Sequence, residues 1–139
     1  MSEESVSVVE DFDAAWNAHD EDAVLDFFAD NAVVKLEPPA PGEPEAYTGK
    51  EQIRAFVQTY MPGFHVESRD HQVAGYQEGV GERVIWESTV SSDSFRSLGV
   101  DPVEGMTEAI FESGKVKSFT FTLSQETLAK MQEAGGPIT

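Results

Sequence analysis

The apolar residues of this chain are spaced for helix in its first half and for strand in its second, and few folds accommodate that change of period. From Ser5 to Trp16, Val9, Phe12 and Trp16 stand on one helical stripe, with Val8 and Ala15 beside it. Asn17-Ala18-His19 breaks the pattern, and Asp20 caps a short second helix carrying Val24, Leu25, Phe27 and Phe28. Ala32 to Leu36 reads as a strand. Thr48-Gly49-Lys50-Glu51 has capping-box spacing and opens a third helix, with Ile53, Phe56, Val57 and Tyr60 on its apolar side. Beyond Gly63 the chain is mostly strand: Phe64–Val73, Val80–Val90, Val103–Glu112 and Lys115–Ser124, the last two joined by a tight Ser113-Gly114 turn. A polar loop spans Ser91–Asp101, a short helix follows Ser124, and residues 135–139 are expected to fray.

Helices followed by a curved antiparallel sheet make an α+β domain. The proline-rich stretch 37–47, from Glu37-Pro38-Pro39 onward, forbids helix or central strand and reads as a stiff loop. It is too short to separate domains, so residues 1–139 are expected to form one. Cysteine is absent, which excludes disulfides and thiolate metal sites. Twenty-six acidic residues against nine basic ones give a net charge of −17. A field of that sign repels phosphate, so nucleic acid and anionic membranes are poor partners, and a salt-adapted source is expected. No stretch approaches the roughly 20 apolar residues of a membrane span. The first residues lack the basic and apolar regions of a secretory signal, so cytoplasmic residence is the expectation.

Five local signatures, in order, resemble the SnoaL-like members of the nuclear transport factor 2-like superfamily. They are Trp16-Asn17-Ala18-His19-Asp20, Phe28-Ala29-Asp30-Asn31-Ala32-Val33-Val34, Gly49-Lys50-Glu51-Gln52-Ile53, Leu98-Gly99-Val100-Asp101-Pro102 and Phe111-Glu112-Ser113-Gly114-Lys115-Val116. The resemblance implies three N-terminal helices packed in a strongly curved sheet that forms a cone-shaped pocket, and a homodimer through the outer sheet face. It says little about function, because the superfamily hosts isomerases, cyclases, hydrolases and plain ligand binders.

Pairing the last two strands about Ser113-Gly114 sets Glu112 against Lys115, Ile110 against Lys117, Glu108 against Phe119 and Met106 against Phe121. The aromatic-rich face, with Met106, Glu108, Ile110, Phe119, Phe121 and Leu123, is the expected interior. Glu108 would then be a carboxyl in an apolar cavity, with a raised pKa suited to general acid catalysis. In the resembling ketosteroid isomerases, an inward acid on the corresponding strand has this type of role. Glu37, at the end of the first strand and followed by proline, is similar in kind to their catalytic base. Phe12 stands where those enzymes hold an oxyanion tyrosine, which argues against the same reaction. The relays of limonene epoxide hydrolases and SnoaL-type cyclases have no counterpart here.

Trp16, Tyr60, Trp86, Met106, Phe119 and Phe121 are the expected lining of a pocket for a small apolar molecule. His19 belongs to the interhelix turn. His65 and His71, at even spacing, are placed on the outer face with Glu67 and Arg69. No metal site and no cofactor are expected, since neither ligand spacing nor a phosphate-cradling glycine loop is present. The reading is therefore a pocket protein of one of two kinds. One is a cofactor-independent isomerase, cyclase or hydrolase; the other is a non-catalytic ligand-binding or accessory domain.

Overall fold

A computed structural model describes residues 2–37, 44–77, 81–97 and 99–133. Most of the expected proline-rich loop and the whole expected frayed tail lie outside the described residues. The elements follow in the order α1 (Ser2–Asn17), α2 (Glu21–Asp26), β1 (Phe28–Glu37), β2 (Tyr47–Thr48), α3 (Gly49–Tyr60), β3 (His65–Gln77) and β4 (Gly81–Ser91). They continue with α4 (Asp93–Ser97), β5 (Val103–Glu112), β6 (Lys115–Leu123) and α5 (Gln125–Glu133). The short α4 falls within the stretch expected to be loop.

The strands form one six-stranded sheet in the order β2-β1-β6-β5-β4-β3. It is mixed rather than wholly antiparallel, because β1 runs parallel to β6. A mixed order follows from helices intervening between β1 and the later strands, which returns the chain to the same end of the sheet. Bulges bend the sheet around the helices. In β3, Asp70 and His71 together stand opposite Trp86 of β4, and Asp70 adopts the left-handed conformation (φ 57). In β6, Lys117 is the additional residue, since Ile110 faces Ser118 while Phe111 faces Val116.

The joint between α1 and α2 sets how the first helix lies on the sheet. Asn17 clamps the backbone of Val66 from both sides: its Nδ2 donates to the carbonyl at 3.0 Å, and its Oδ1 accepts from the amide at 2.8 Å. His19, at φ 58, contacts the carbonyl oxygen of Phe64 through Nε2 at 2.8 Å. Asp20 caps α2, its Oδ1 accepting from the Ala23 amide. One polar tripeptide and its neighbour thus fix α1 against β3 and start α2. The α3 cap differs from the expected box. Thr48 makes no side-chain cap bond, and its amide donates to Gln52 Oε1 at 2.8 Å instead.

The core fills the concave side. Val9, Phe12 and Trp16 of α1 and Ile53, Phe56, Val57 and Tyr60 of α3 are buried there with alternate residues of β4 and β5 and with Val116, Phe121 and Leu123 of β6. Phe12 sits edge-on to Phe27 and Phe28, with ring centroids 5.5 Å apart in each pair, an arrangement favoured by the ring quadrupoles.

Candidate functional site

A cavity of ≈ 50 Å³ opens between α1, α3, α4 and the concave face of the sheet. Its walls are mainly aromatic, and Trp16, Tyr60, Trp86, Phe119 and Phe121 all contribute. Two expected residues do not. Met106 points away from the cavity at 46% exposure, and Glu108 has a side chain 42% exposed on the same outer face. The correction has one cause. Without a bulge, the Ser113-Gly114 turn would align Glu108 with Phe119; the additional Lys117 moves every later pair by one residue. Glu108 therefore faces Thr120, while Ala109 faces Phe119 and Thr107 faces Phe121. The inward residues of β5 are Val103, Gly105, Thr107, Ala109 and Phe111. Outside, Glu108 accepts from Nε of Arg83 at 2.6 Å, in an ordinary surface ion pair. Glu37 is exposed at the end of β1 and does not line the cavity.

A different carboxylate lines it. Asp13 projects from α1 into the cavity, and Ser68 Oγ donates to its Oδ2 at 2.6 Å. Removal from water raises its pKa from 3.8 to about 6, against the Ser68 hydrogen bond, which favours the charged form. The negative charge of Glu10, one turn earlier on α1, raises it further. Asp13 lies four residues after Val9 and three before Trp16, on the helical stripe that faces the sheet. That spacing is visible in the sequence, although other acids surround it in α1.

Two buried strand hydroxyls also line the cavity. Ser88 of β4 and Thr107 of β5 are buried and hydrogen-bonded to each other at 2.9 Å. Ser88 also faces Ser68 across β3 and β4, so Ser68, behind Asp13, connects the carboxyl to the Ser88–Thr107 pair along the sheet.

His71 is likewise moved by a bulge. Even spacing placed it outside with His65, but the insertion at Asp70 reverses the alternation of β3. Its ring stacks on Trp86, with centroids 5.7 Å apart. Burial holds its pKa below the usual 6.5, against the charges of Glu10 and Asp70, and its buried Nε2 has no hydrogen-bond partner. Among the described residues, no group of His, Asp and Glu is arranged to hold a metal ion. No helix among them is long and apolar enough to cross a membrane.

With this geometry established, comparison with known proteins gives the family. The family model for the SnoaL-like domain matches residues 9–119. The chain belongs to the SnoaL-like family. Comparison with curated proteins finds no match. Among solved structures, this SnoaL-like domain is similar to a Bacillus subtilis protein provisionally named an isomerase, with 15% identity, a TM-score of 0.70 and coverage of 95% of this chain and 94% of the other. A Sinorhizobium meliloti protein provisionally named a polyketide cyclase aligns at 18% identity and TM-score 0.62, over 83% of this chain and 93% of the other. A nuclear transport factor 2-like protein of unknown function from Burkholderia xenovorans aligns at 22% identity and TM-score 0.64, over 88% and 84%. At such identities the likeness is one of fold.

Proposed function

We propose that this SnoaL-like domain binds a small apolar molecule in the cavity and acts on it as a cofactor-independent enzyme of the isomerase or cyclase type, with Asp13 as the proton-transferring group. The observation that carries the reading is the placement of Asp13: an ionisable carboxyl among aromatic walls, with its pKa raised to about 6. At pH 7 about a tenth of the molecules then hold the proton and the rest are charged. A carboxylate of that kind can remove a proton from one position of a bound substrate and return it at another. Such a shift consumes no co-reactant, and the acid ends as it began. Desolvation strengthens the base, and the apolar walls exclude competing water.

The solved structures named for an isomerase and a polyketide cyclase are in keeping with this chemistry. Turnover screening of small apolar substrates tests it, with Asp13→Asn as the control. That variant should still bind the molecules the parent binds and lose turnover by at least about a hundredfold, the usual contribution of a general acid or base. Equal turnover by the variant would remove Asp13 from the chemistry. The strongly apolar lining equally suits a non-catalytic ligand carrier, and binding without turnover in both proteins would establish that alternative.

A further inference from the structure

The Ser88–Thr107 pair holds more hydrogen-bonding capacity than the protein uses. Two hydroxyls carry two hydrogens, and their mutual bond at 2.9 Å occupies one. The other has no acceptor among the described residues, although both side chains are buried at 2% exposure or less and both line the cavity. Both oxygens are partnered through the mutual bond, so the spare hydrogen is the capacity left for an acceptor arriving with the ligand. The mutual bond also polarises the outer hydroxyl and makes it a better donor.

The neighbouring residues direct that donor. On one side, Ser68 faces Ser88 across the strands, but its own hydrogen is committed to Asp13. On the other side Gly105 pairs with Ser88 and presents no side chain to interfere. The remaining walls near the pair are apolar: Trp86, Val90, Phe119 and Phe121. A lone accepting oxygen beside the pair would therefore meet this hydroxyl among mainly apolar walls.

We infer that Ser88 and Thr107 form a hydrogen-bonding subsite for a single acceptor oxygen of an otherwise apolar ligand, such as a carbonyl or ether. The inference rests on the cavity being a ligand site, as proposed above, and adds the polarity and position of one ligand group. It assigns Ser88 and Thr107 to binding, separately from the proton transfer at Asp13. In a cavity of ≈ 50 Å³ the ligand portion beside the pair is only a few heavy atoms.

Butanone and its hydrocarbon isostere, 2-methyl-1-butene, are probes of suitable size. Their dissociation constants are measured by NMR titration of the whole protein at pH 8, where Asp13 has no proton to donate. Either hydroxyl alone can supply the donor, so the decisive variant is Ser88→Ala with Thr107→Val. It should lower the preference for ketone over hydrocarbon roughly fivefold, as expected for loss of one net hydrogen bond. Each single variant should keep most of the preference. An unchanged ratio in the double variant, with both probes bound in the cavity, would overturn the subsite and leave the pocket reading intact. Failure of the parent to bind either probe would overturn both. Should the double variant not fold, the carbonyl carbon shift of bound butanone in the parent decides: a downfield displacement relative to butanone in hexane supports the subsite, and its absence refutes it.

Discussion

Asp13→Asn should stabilise the protein at neutral pH while removing its proposed chemistry. The unfolded chain releases the Asp13 proton near 3.8, and the folded protein holds it until about 6. Between those values the folded state binds more protons, so stability falls as pH rises through the window. Above it a constant penalty of about 3 kcal/mol remains, at 1.36 kcal/mol per pKa unit. Asparagine is neutral throughout and escapes that penalty. Its carboxamide oxygen can still accept from Ser68, but its NH2 group needs a partner in the cavity, which costs about 1–2 kcal/mol at every pH. The net gain at pH 7.5 is therefore about 1–2 kcal/mol, turning into a loss below about pH 5. Urea unfolding of parent and variant from pH 3.5 to 7.5 measures this directly. The difference between the two curves matters, because it cancels the other carboxylates. It should change by about 3 kcal/mol across the window. A difference that stays flat would show that Asp13 titrates as an ordinary surface acid, and the reasoning would fail.

Other substitutions probe the frame around the site. Glu108→Gln, on the outer face, should change stability by no more than about 1 kcal/mol in chemical denaturation and leave cavity binding unaltered, since its partner Arg83 is also half-exposed. Gly105→Ala should destabilise by roughly 1–3 kcal/mol, because an added Cβ would lie 2.1 Å from the Thr122 carbonyl oxygen and 2.8 Å from the Phe121 ring. His71 resists protonation when folded, so acid favours the unfolded chain as pH drops below 6.5. His71→Phe should lose less stability than the parent between pH 6.5 and 5, measured by thermal unfolding. Given the net charge of −17, molar sodium chloride should raise the melting temperature by screening self-repulsion, whereas greater stability at low salt would exclude salt adaptation.

Much of the architecture was legible because it rests on local rules. The stripe Val9, Phe12, Trp16 marked α1, and Asp20 marked the start of α2, as its bond to Ala23 shows. Helical spacing also picked out the buried side of α3. What local pattern could not supply was strand parity. A bulge costs one residue and leaves little trace in composition, yet each one exchanges the two faces of a strand. Lys117 carried Glu108 and Met106 outside and brought Thr107 in; Asp70 brought His71 in over Trp86. The aromatic residues of β6 were assigned inward correctly because they follow the bulge and were read from their own side chains. The register of their partners was not. Asp13 was missed for another reason: charge was weighed before position. An acid in phase with Val9 and Trp16 sits on the buried side of its helix, however many solvated acids surround it.

The midpoint of the Asp13 carboxyl titration, followed by its side-chain carbon shift in NMR, tests the proposed chemistry most directly. The placement of this group among aromatic walls predicts a midpoint near 6, displaced downward in Glu10→Gln as the neighbouring negative charge is removed. A midpoint near 3.8, unmoved by that substitution, would put the carboxyl in contact with bulk water and contradict the account.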